Sequence, residues 1–121
     1  MLINLSNHPS KYWSERQIMM AHEQWGEVVD MPFPTIAPEE KSEAIKELAS
    51  EYCKQCVSLL QEANEEPSAV HLMGEMVFSC HLVGLLMAEH ITVVASTAER
   101  NVRYVGEMKE TVFNFVTFRE Y

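Results

Sequence analysis

The alternation of apolar and polar stretches over residues 69–100 predicts a βαβ unit, and the rest of the chain is arranged around it. A short apolar run, Ala69–Met73, stops at Gly74, and a segment of helix-like composition follows up to His90. The β-branched run Ile91–Val94 comes next and ends in small polar residues. A helix of this length can return the chain so that the two strands lie parallel.

The helix of this unit is apolar on nearly every side, which predicts burial against the sheet or against a second subunit. Its apolar residues are Met76, Val77, Phe78, Leu82, Val83, Leu85, Leu86 and Met87.

Two strand–helix pairs precede this unit. Leu2–Leu5 predicts a strand, and Ser14 with Gln17 forms a capping-box pattern that opens a helix ending at Gly26. Glu27–Met31 predicts a second strand, and the pattern after it predicts a long helix. We place the start of that long helix near Pro38 and its end before Asn64.

After Arg100 the pattern becomes rich in β-formers. Val102–Val105 and Thr111–Phe118 are separated by Gly106–Lys109, which predicts a hairpin of two further strands. Both faces of the second strand are largely apolar, so we expect it to be covered on both sides or used in dimerisation.

This order of elements predicts a single α/β domain over residues 1–121, with a Rossmann-like fold. We expect the parallel strands in the spatial order 2-1-3-4, flanked by helices, with the C-terminal hairpin extending the sheet. The switch point would then place Ser6–His8 beside Gly74–Glu75, with Ser96–Arg100 adjoining. Ligands of open parallel sheets bind at such a point.

The net charge of −9 argues against binding to long nucleic acid, which depends on clustered Lys and Arg. A small anionic ligand is still compatible with a local basic patch, since Lys11 follows the first strand and Arg100 and Arg103 follow the fourth.

Other classes of function find little support. No signal peptide is recognisable, and the longest apolar stretch, Leu82–Ala88, is too short to span a bilayer, so we expect a cytoplasmic protein without a membrane partner. No G-x-G-x-x-G, Walker or G-x-S-x-G motif is present, so we expect no dinucleotide cofactor and no serine-hydrolase chemistry.

Metal and redox sites are also weakly indicated, and we expect neither a metal nor a cofactor. His8, Glu75 and Glu99 lack a diagnostic metal-ligand spacing. Cys53 and Cys56 have C-x-x-C spacing but fall inside a predicted helix, where a packing role is favoured. The remaining histidines, His22, His71, His81 and His90, are expected to be packed or solvated.

The two loops after the first and third strands contain candidate ligand-binding groups. Ser6, Asn7 and His8 offer hydrogen-bonding side chains and an imidazole, although they could equally cap a turn and leave His8 exposed. Gly74 would let a ligand approach the backbone, and Glu75 would either cap the following helix or bind a ribose or base.

The segment after the fourth strand combines hydroxyls with a guanidinium. Ser96 and Thr97 with Arg100 suit a phosphate, while an ion pair of Arg100 with Glu99 or Glu75 is the alternative.

Four segments together resemble small, single-domain proteins of type III CRISPR loci, whose folds are related to the CRISPR-associated Rossmann fold (CARF) domain. The segments are Asn4–Pro9 (NLSNHP), Val70–Met76 (VHLMGEM), Ala95–Arg100 (ASTAER) and Phe115–Tyr121 (FVTFREY).

The resemblance implies a cyclic oligoadenylate ligand, with cyclic tetra-adenylate the first expectation, and a role in antiviral defence. It also implies a homodimer that holds the nucleotide ring across its two-fold axis. Several stand-alone proteins of this type are ring nucleases, which linearise the messenger. A non-catalytic sensor or sponge for the same ligand is the alternative.

Position and chemistry suggest roles for the residues in ring cleavage. The ribose 2′-hydroxyl is itself the nucleophile, so the protein must fix geometry and stabilise charge, without a metal. We expect Arg100, with Ser96 and Thr97, to hold the phosphate and His8 to assist proton transfer. Asn7 and Glu75 would orient ribose or adenine, and the ligand-binding set also includes Ser6, Lys11, Gly74, Glu99 and Arg103.

Overall fold

The computed structural model describes all residues from 1 to 121 as one α/β fold with three α-helices and five strands. The elements are β1 (Leu2–Ser6), α1 (Glu15–Trp25), β2 (Val28–Asp30), α2 (Ser42–Ala63), β3 (Ala69–Met73), α3 (Met76–Ala88), β4 (Val93–Val105) and β5 (Met108–Glu120). A short 3₁₀ turn, Ser10–Tyr12, lies between β1 and α1.

The strands form one sheet in the order β2-β1-β3-β4-β5. The pairs β1–β2, β1–β3 and β3–β4 are parallel, and β5 runs antiparallel to β4. Strand β1 therefore lies between β2 and β3, and Asn4 of β1 is in register with His71 of β3. The carboxyl ends of β1 and β3 meet at one edge of the sheet.

The C-terminal part differs from the prediction of a strand, a loop and a separate hairpin. Residues Ser96–Arg100 lie inside β4, which continues to Val105 and pairs with β5 along its length. The physical reason is the partner strand: β3 accompanies β4 only at Val93 and Val94, whereas β5 keeps the following residues extended. A β-bulge between Thr97 and Ala98 is the only irregularity in this pairing.

Helix boundaries follow the capping chemistry. The side chain of Ser14 accepts a hydrogen bond from the Gln17 N–H at the start of α1, as predicted. The predicted start of α2 near Pro38 is wrong. A single turn there is closed by the Glu40 N–H and the Ala37 carbonyl, and Lys41 is extended (φ −95°, ψ 160°), so the helix begins only at Ser42.

The sheet separates two apolar clusters because successive side chains of a strand point to opposite faces. The larger cluster joins Ile3, Leu5, Val70 and Leu72 to α2 and α3. The smaller cluster joins Leu2, Ala69, Val94 and Trp13 to Ala21 of α1. Asn4 and His71 occupy the same alternating positions as Leu2 and Ala69, so their side chains lie on the α1 face.

The two cysteines with C-x-x-C spacing lie in the larger cluster. Cys53 and Cys56 are both buried and unpaired. Burial raises the pKa of the Cys56 thiol to about 12, so this thiol stays protonated at neutral pH. Packing is therefore the role that the structure gives to this pair.

Apolar side chains remain exposed in two regions of the single chain. Helix α3 buries Phe78, Leu82 and Leu86, but Met76 on its opposite side is 83% exposed. The end of the β4–β5 hairpin has exposed side chains throughout, with Tyr104 at 70%. The predicted burial of α3 against the sheet thus holds for one face of the helix, and the other face is exposed in the single chain. No helix of the structure is both long and apolar enough to cross a membrane.

Replacing Gly74 by alanine should lower the free energy of unfolding by about 1–3 kcal/mol. A Cβ atom at Gly74 would overlap the Phe33 ring, which packs edge-on against Phe78 in the core. Chemical denaturation of Gly74→Ala and of the control Gly84→Ala measures the effect. Gly84 has open space around it inside α3, so its replacement should be neutral or stabilising. Equal stability of the two variants would contradict the packing role of Gly74.

Candidate functional site

A pocket of about 440 Å³ lies at the carboxyl ends of β1 and β3, bounded by β4, β5 and α1. It is lined by Ser6, Asn7, His8, Gln17, His71, Met73, Gly74, Ser96, Thr97, Ala98, Phe113 and Phe115. Its polar groups come from the strand ends and from α1, and its aromatic wall comes from β5. No lysine or arginine lines it.

The floor of the pocket is a chain of hydrogen bonds centred on His71. The His71 Nδ1 atom lies 2.8 Å from Asn4 Oδ1, and His71 Nε2 lies 2.7 Å from Ser96 Oγ. Gln17 Nε2 of α1 donates to the same Ser96 Oγ at 3.0 Å. These side-chain hydrogen bonds connect strands β1, β3 and β4 with helix α1.

The hydrogen-bond network that begins at Ser96 ends at the carboxylate of Asp30. Asn4 Nδ2 donates to Asp30 Oδ1 at 2.7 Å, and Ser10 Oγ donates to Asp30 Oδ2 at 2.7 Å. Burial by itself raises the pKa of the Asp30 carboxyl, but the hydrogen bonds from Ser10 and Asn4 outweigh it, so the pKa lies below its usual value. Asp30 is therefore ionised at neutral pH and can only accept hydrogen bonds.

His71 is buried among aromatic rings on the α1 face of the sheet. The Trp13 and Phe118 rings meet its imidazole edge-on, with centroids 5.3 and 5.6 Å away. This burial lowers the pKa of His71 from 6.5 to about 4, with a smaller contribution from His8. His71 is therefore neutral at physiological pH.

The loop after β1 is held in place by the same network. Asn4 Nδ2 and Trp13 Nε1 both donate to the His8 carbonyl, at 3.0 and 2.9 Å. Ser6 Oγ also lies 2.8 Å from Asn4 Oδ1. The backbone at His8 is therefore fixed, while the His8 side chain is exposed at the rim of the pocket.

Six of the predicted site residues come together at this pocket, although they are distant in sequence. They are Ser6, Asn7, His8, Gly74, Ser96 and Thr97. The hydroxyl of Thr97 is already engaged, because it bonds to the backbone of Thr117 on β5.

The other five predicted residues do not line the pocket. Lys11 lies over the Tyr12 ring, at 4.9 Å from its centroid. Glu99 and Arg100 are exposed on β4, because that strand continues where a loop was predicted. Arg103 forms an ion pair with Glu110 at 2.6 Å.

Glu75 has the capping role that was the alternative to ligand binding. Its carboxylate accepts hydrogen bonds from the Val77 and Phe78 N–H groups at the start of α3, at 3.0 and 2.7 Å. A carboxylate in this position satisfies the first N–H groups of the helix and its positive end. Glu75 is thus the N-terminal cap of α3, and it does not line the pocket.

Sequence reasoning missed Asn4, Gln17, Phe113 and Phe115, and it expected His71 to be packed or solvated rather than part of a site. A signal was present: Asn4 and His71 are polar residues in strands that are otherwise buried, and a buried polar side chain requires partners. The aromatic pair could not be found in this way, since only the pairing of β4 with β5 brings it to the pocket.

Comparison with known proteins gives a family for the whole chain. The family model described as "Uncharacterized protein MJ1673 family" matches residues 1–119. The chain belongs to this family. No curated protein and no solved structure matches it. Membership in the MJ1673 family thus extends over all five strands, including the residues of the pocket.

Acid should destabilise the protein through His71, because its pKa is lower in the folded chain than in the unfolded chain. The pKa of His71 is 6.5 in the unfolded chain and about 4 in the folded chain. The contribution of neutral His71 to the free energy of unfolding is therefore fully present above pH 6.5, and it is lost as the pH falls from 6.5 to about 4. The loss in the free energy of unfolding should approach about 3 kcal/mol. Urea denaturation at a series of pH values measures it.

The control for this experiment is a second histidine that is exposed. His71→Asn should remove the dependence on pH between 6.5 and 4, whereas His22→Asn should retain it. A wild-type protein whose stability is constant over this range would show that His71 is not buried in its neutral form.

Proposed function

We propose that this chain binds cyclic oligoadenylate in the pocket at the carboxyl ends of β1 and β3 and linearises the ring by metal-independent attack of a ribose 2′-hydroxyl. The observation that carries the proposal is the convergence of Ser6, Asn7, His8 and Gly74 with Ser96 beside an aromatic wall. The proposal includes a CARF-type relationship for the fold and a role in type III CRISPR defence.

The pocket has the composition that suits a nucleoside. Phe113 and Phe115 line the pocket, and aromatic rings provide surfaces on which a base can stack. Ser6, Asn7 and Gln17 also line the pocket, and their remaining hydrogen-bonding groups can bind a ribose. One protomer has room for part of a ring, which fits a ligand shared between two protomers.

Phosphate binding in this pocket would depend on backbone donors. The N–H groups of Asn7 and Gly74 donate no hydrogen bond within the chain, and both residues line the pocket. Such groups bind phosphate without a cationic side chain. This arrangement also suits an acidic protein with a net charge of −9, because selectivity for a small ring does not require attraction of long RNA.

Within this proposal His8 is the proton-transfer group, since its imidazole is exposed at the rim of the pocket. The 2′-hydroxyl gives its proton to His8 and attacks the adjacent phosphorus, the bond to the 5′-oxygen breaks, and that oxygen takes up the proton from the His8 imidazolium. The products are a 2′,3′-cyclic phosphate and a free 5′-hydroxyl. Arg100 would contact the phosphate only where a second protomer brings it to the pocket.

A homodimer is part of the proposal, and the β4–β5 hairpin is its interface. Beyond Thr97 the hairpin has no third strand and no helix over it, and its side chains through Asn114 are exposed. An isolated two-stranded ribbon with apolar residues is marginally stable in water. A second copy of the chain would cover these residues.

A binder that does not cleave is the second candidate function. One observation favours it: the pocket of the single chain contains no lysine or arginine to stabilise charge that develops on the phosphate.

Incubation with cyclic tetra- and hexa-adenylate should give linear products with 2′,3′-cyclic phosphate ends, with or without EDTA. Chromatography with mass detection identifies them. His8→Asn should lower the rate at least about a hundredfold, as expected for loss of an acid–base group. The matched control His90→Asn, at the opposite edge of the sheet, should cleave at the wild-type rate. Binding without cleavage would establish the second candidate, and absence of both would overturn the proposal.

The double variant Tyr104→Lys/Met108→Lys should be monomeric, because it places charge in the proposed interface. Sedimentation velocity distinguishes the two states. Met76→Lys, at an equally exposed apolar position on α3, should remain dimeric. A dimer that is lost only with Met76→Lys would instead place the interface on α3.

A further inference from the structure

The hydrogen bonds around His71 can be satisfied by only one assignment of their protons. The Asp30 carboxylate and the His8 carbonyl accept and do not donate, so the Asn4 atom that faces both of them is the amide nitrogen. The Asn4 carbonyl oxygen, Oδ1, therefore faces His71. This orientation follows from the partners and requires no assumption about the histidine.

The proton of His71 is placed by the same reasoning. Asn4 Oδ1 can only accept, so His71 Nδ1 carries a hydrogen and donates it. The imidazole is buried between the Trp13 and Phe118 rings with no carboxylate in contact with either nitrogen, and it is therefore neutral. His71 Nε2 is consequently unprotonated and accepts the hydrogen of the Ser96 hydroxyl.

The Ser96 hydroxyl has one hydrogen-bonding position that no residue of the chain occupies. Its one hydrogen is used by His71, and one of its two lone pairs accepts the hydrogen bond from Gln17 Nε2. The other lone pair remains, on a side chain that lines the pocket. Ser96 can thus accept a hydrogen bond from a ligand but cannot donate one.

We propose that Ser96 selects a hydrogen-bond donor of the ligand, and that this donor is the ribose 2′-hydroxyl of an adenylate. The inference rests on the proposed function and identifies the group of the nucleotide to which Ser96 forms a hydrogen bond. It also revises the expected phosphate contact of Ser96, since phosphate oxygens cannot donate. Asn4, His71 and Gln17 are positioning residues that hold the serine in this state.

The adenine 6-amino group is the other donor that an adenylate could present to Ser96. The aromatic wall of Phe113 and Phe115 provides the stacking surface for the base, and this leaves the sugar for the polar side of the pocket. Ligands that lack either the 2′-hydroxyl or the 6-amino group show which of these two donors Ser96 binds.

Isothermal titration calorimetry with three rings tests the proposal: cyclic tetra-adenylate, its 2′-deoxy counterpart and cyclic tetra-inosinate. Every protein in this experiment carries His8→Asn so that no ring is cleaved during the titration, and wild-type here refers to position 96. The wild-type protein should bind the 2′-deoxy ring at least about tenfold more weakly than the ribose ring, because the Ser96 lone pair would be left unpaired. In Ser96→Ala this ratio should fall to about one, since no acceptor remains. The control Ser68→Ala, at the opposite edge of the sheet, should keep the wild-type ratio.

The outcomes separate this inference from the proposed function. Equal binding of the ribose and 2′-deoxy rings by the wild-type protein would overturn the role of Ser96 but leave ring binding intact. Weakened binding of only the inosinate ring would assign Ser96 to the amino group and overturn the 2′-hydroxyl. No binding of any ring would overturn both proposals.

Nuclear magnetic resonance of the ligand-free protein tests the proton assignment by itself. Long-range ¹H–¹⁵N spectra at pH 7 should show a neutral His71 with its hydrogen on Nδ1. A hydrogen on Nε2 would contradict the inference, because Ser96 would then accept from His71 and its own hydroxyl would be free to donate to a phosphate.

Discussion

The hydrogen bond between His71 and Asn4 is the constraint on which the site depends. Both side chains are buried, on adjacent strands, at positions where an unpaired polar group would be costly. Their parallel register places one opposite the other, so each satisfies the other. Each side chain forms a further hydrogen bond on its other side: Asn4 donates to Asp30, and His71 accepts from Ser96.

The network runs through the core and ends at the pocket: Asn4 and His71 are buried, Asp30 at one end is exposed, and Ser96 at the other end lines the pocket. The Asp30 carboxylate fixes the amide of Asn4, and that amide fixes the imidazole. A polar network of this kind is favourable only when every member is satisfied. The serine at its end is therefore held in one defined hydrogen-bonding state, and the Trp13 and Phe118 rings pack against the imidazole of His71.

Strand β4 determines what faces this network. Because it continues far beyond its short pairing with β3, it brings β5 across the carboxyl edge of the sheet, with Phe113 and Phe115 over the pocket. The same extension keeps Arg100 and Arg103 within β4, where neither of them lines the pocket. The pocket is consequently aromatic and uncharged, and this is a property of sheet pairing.

The sequence by itself determined the α/β class, the central βαβ unit and the two loops that meet at the switch point, since these follow from local periodicity and from chain reversal. It also placed Ser6, Asn7, His8 and Gly74 at one edge. Only the tertiary structure decided that Ser96 belongs to a strand and that His71, Asn4 and Gln17 hold it. Those facts depend on strand register and on pairing between distant segments, which no local pattern of residues encodes.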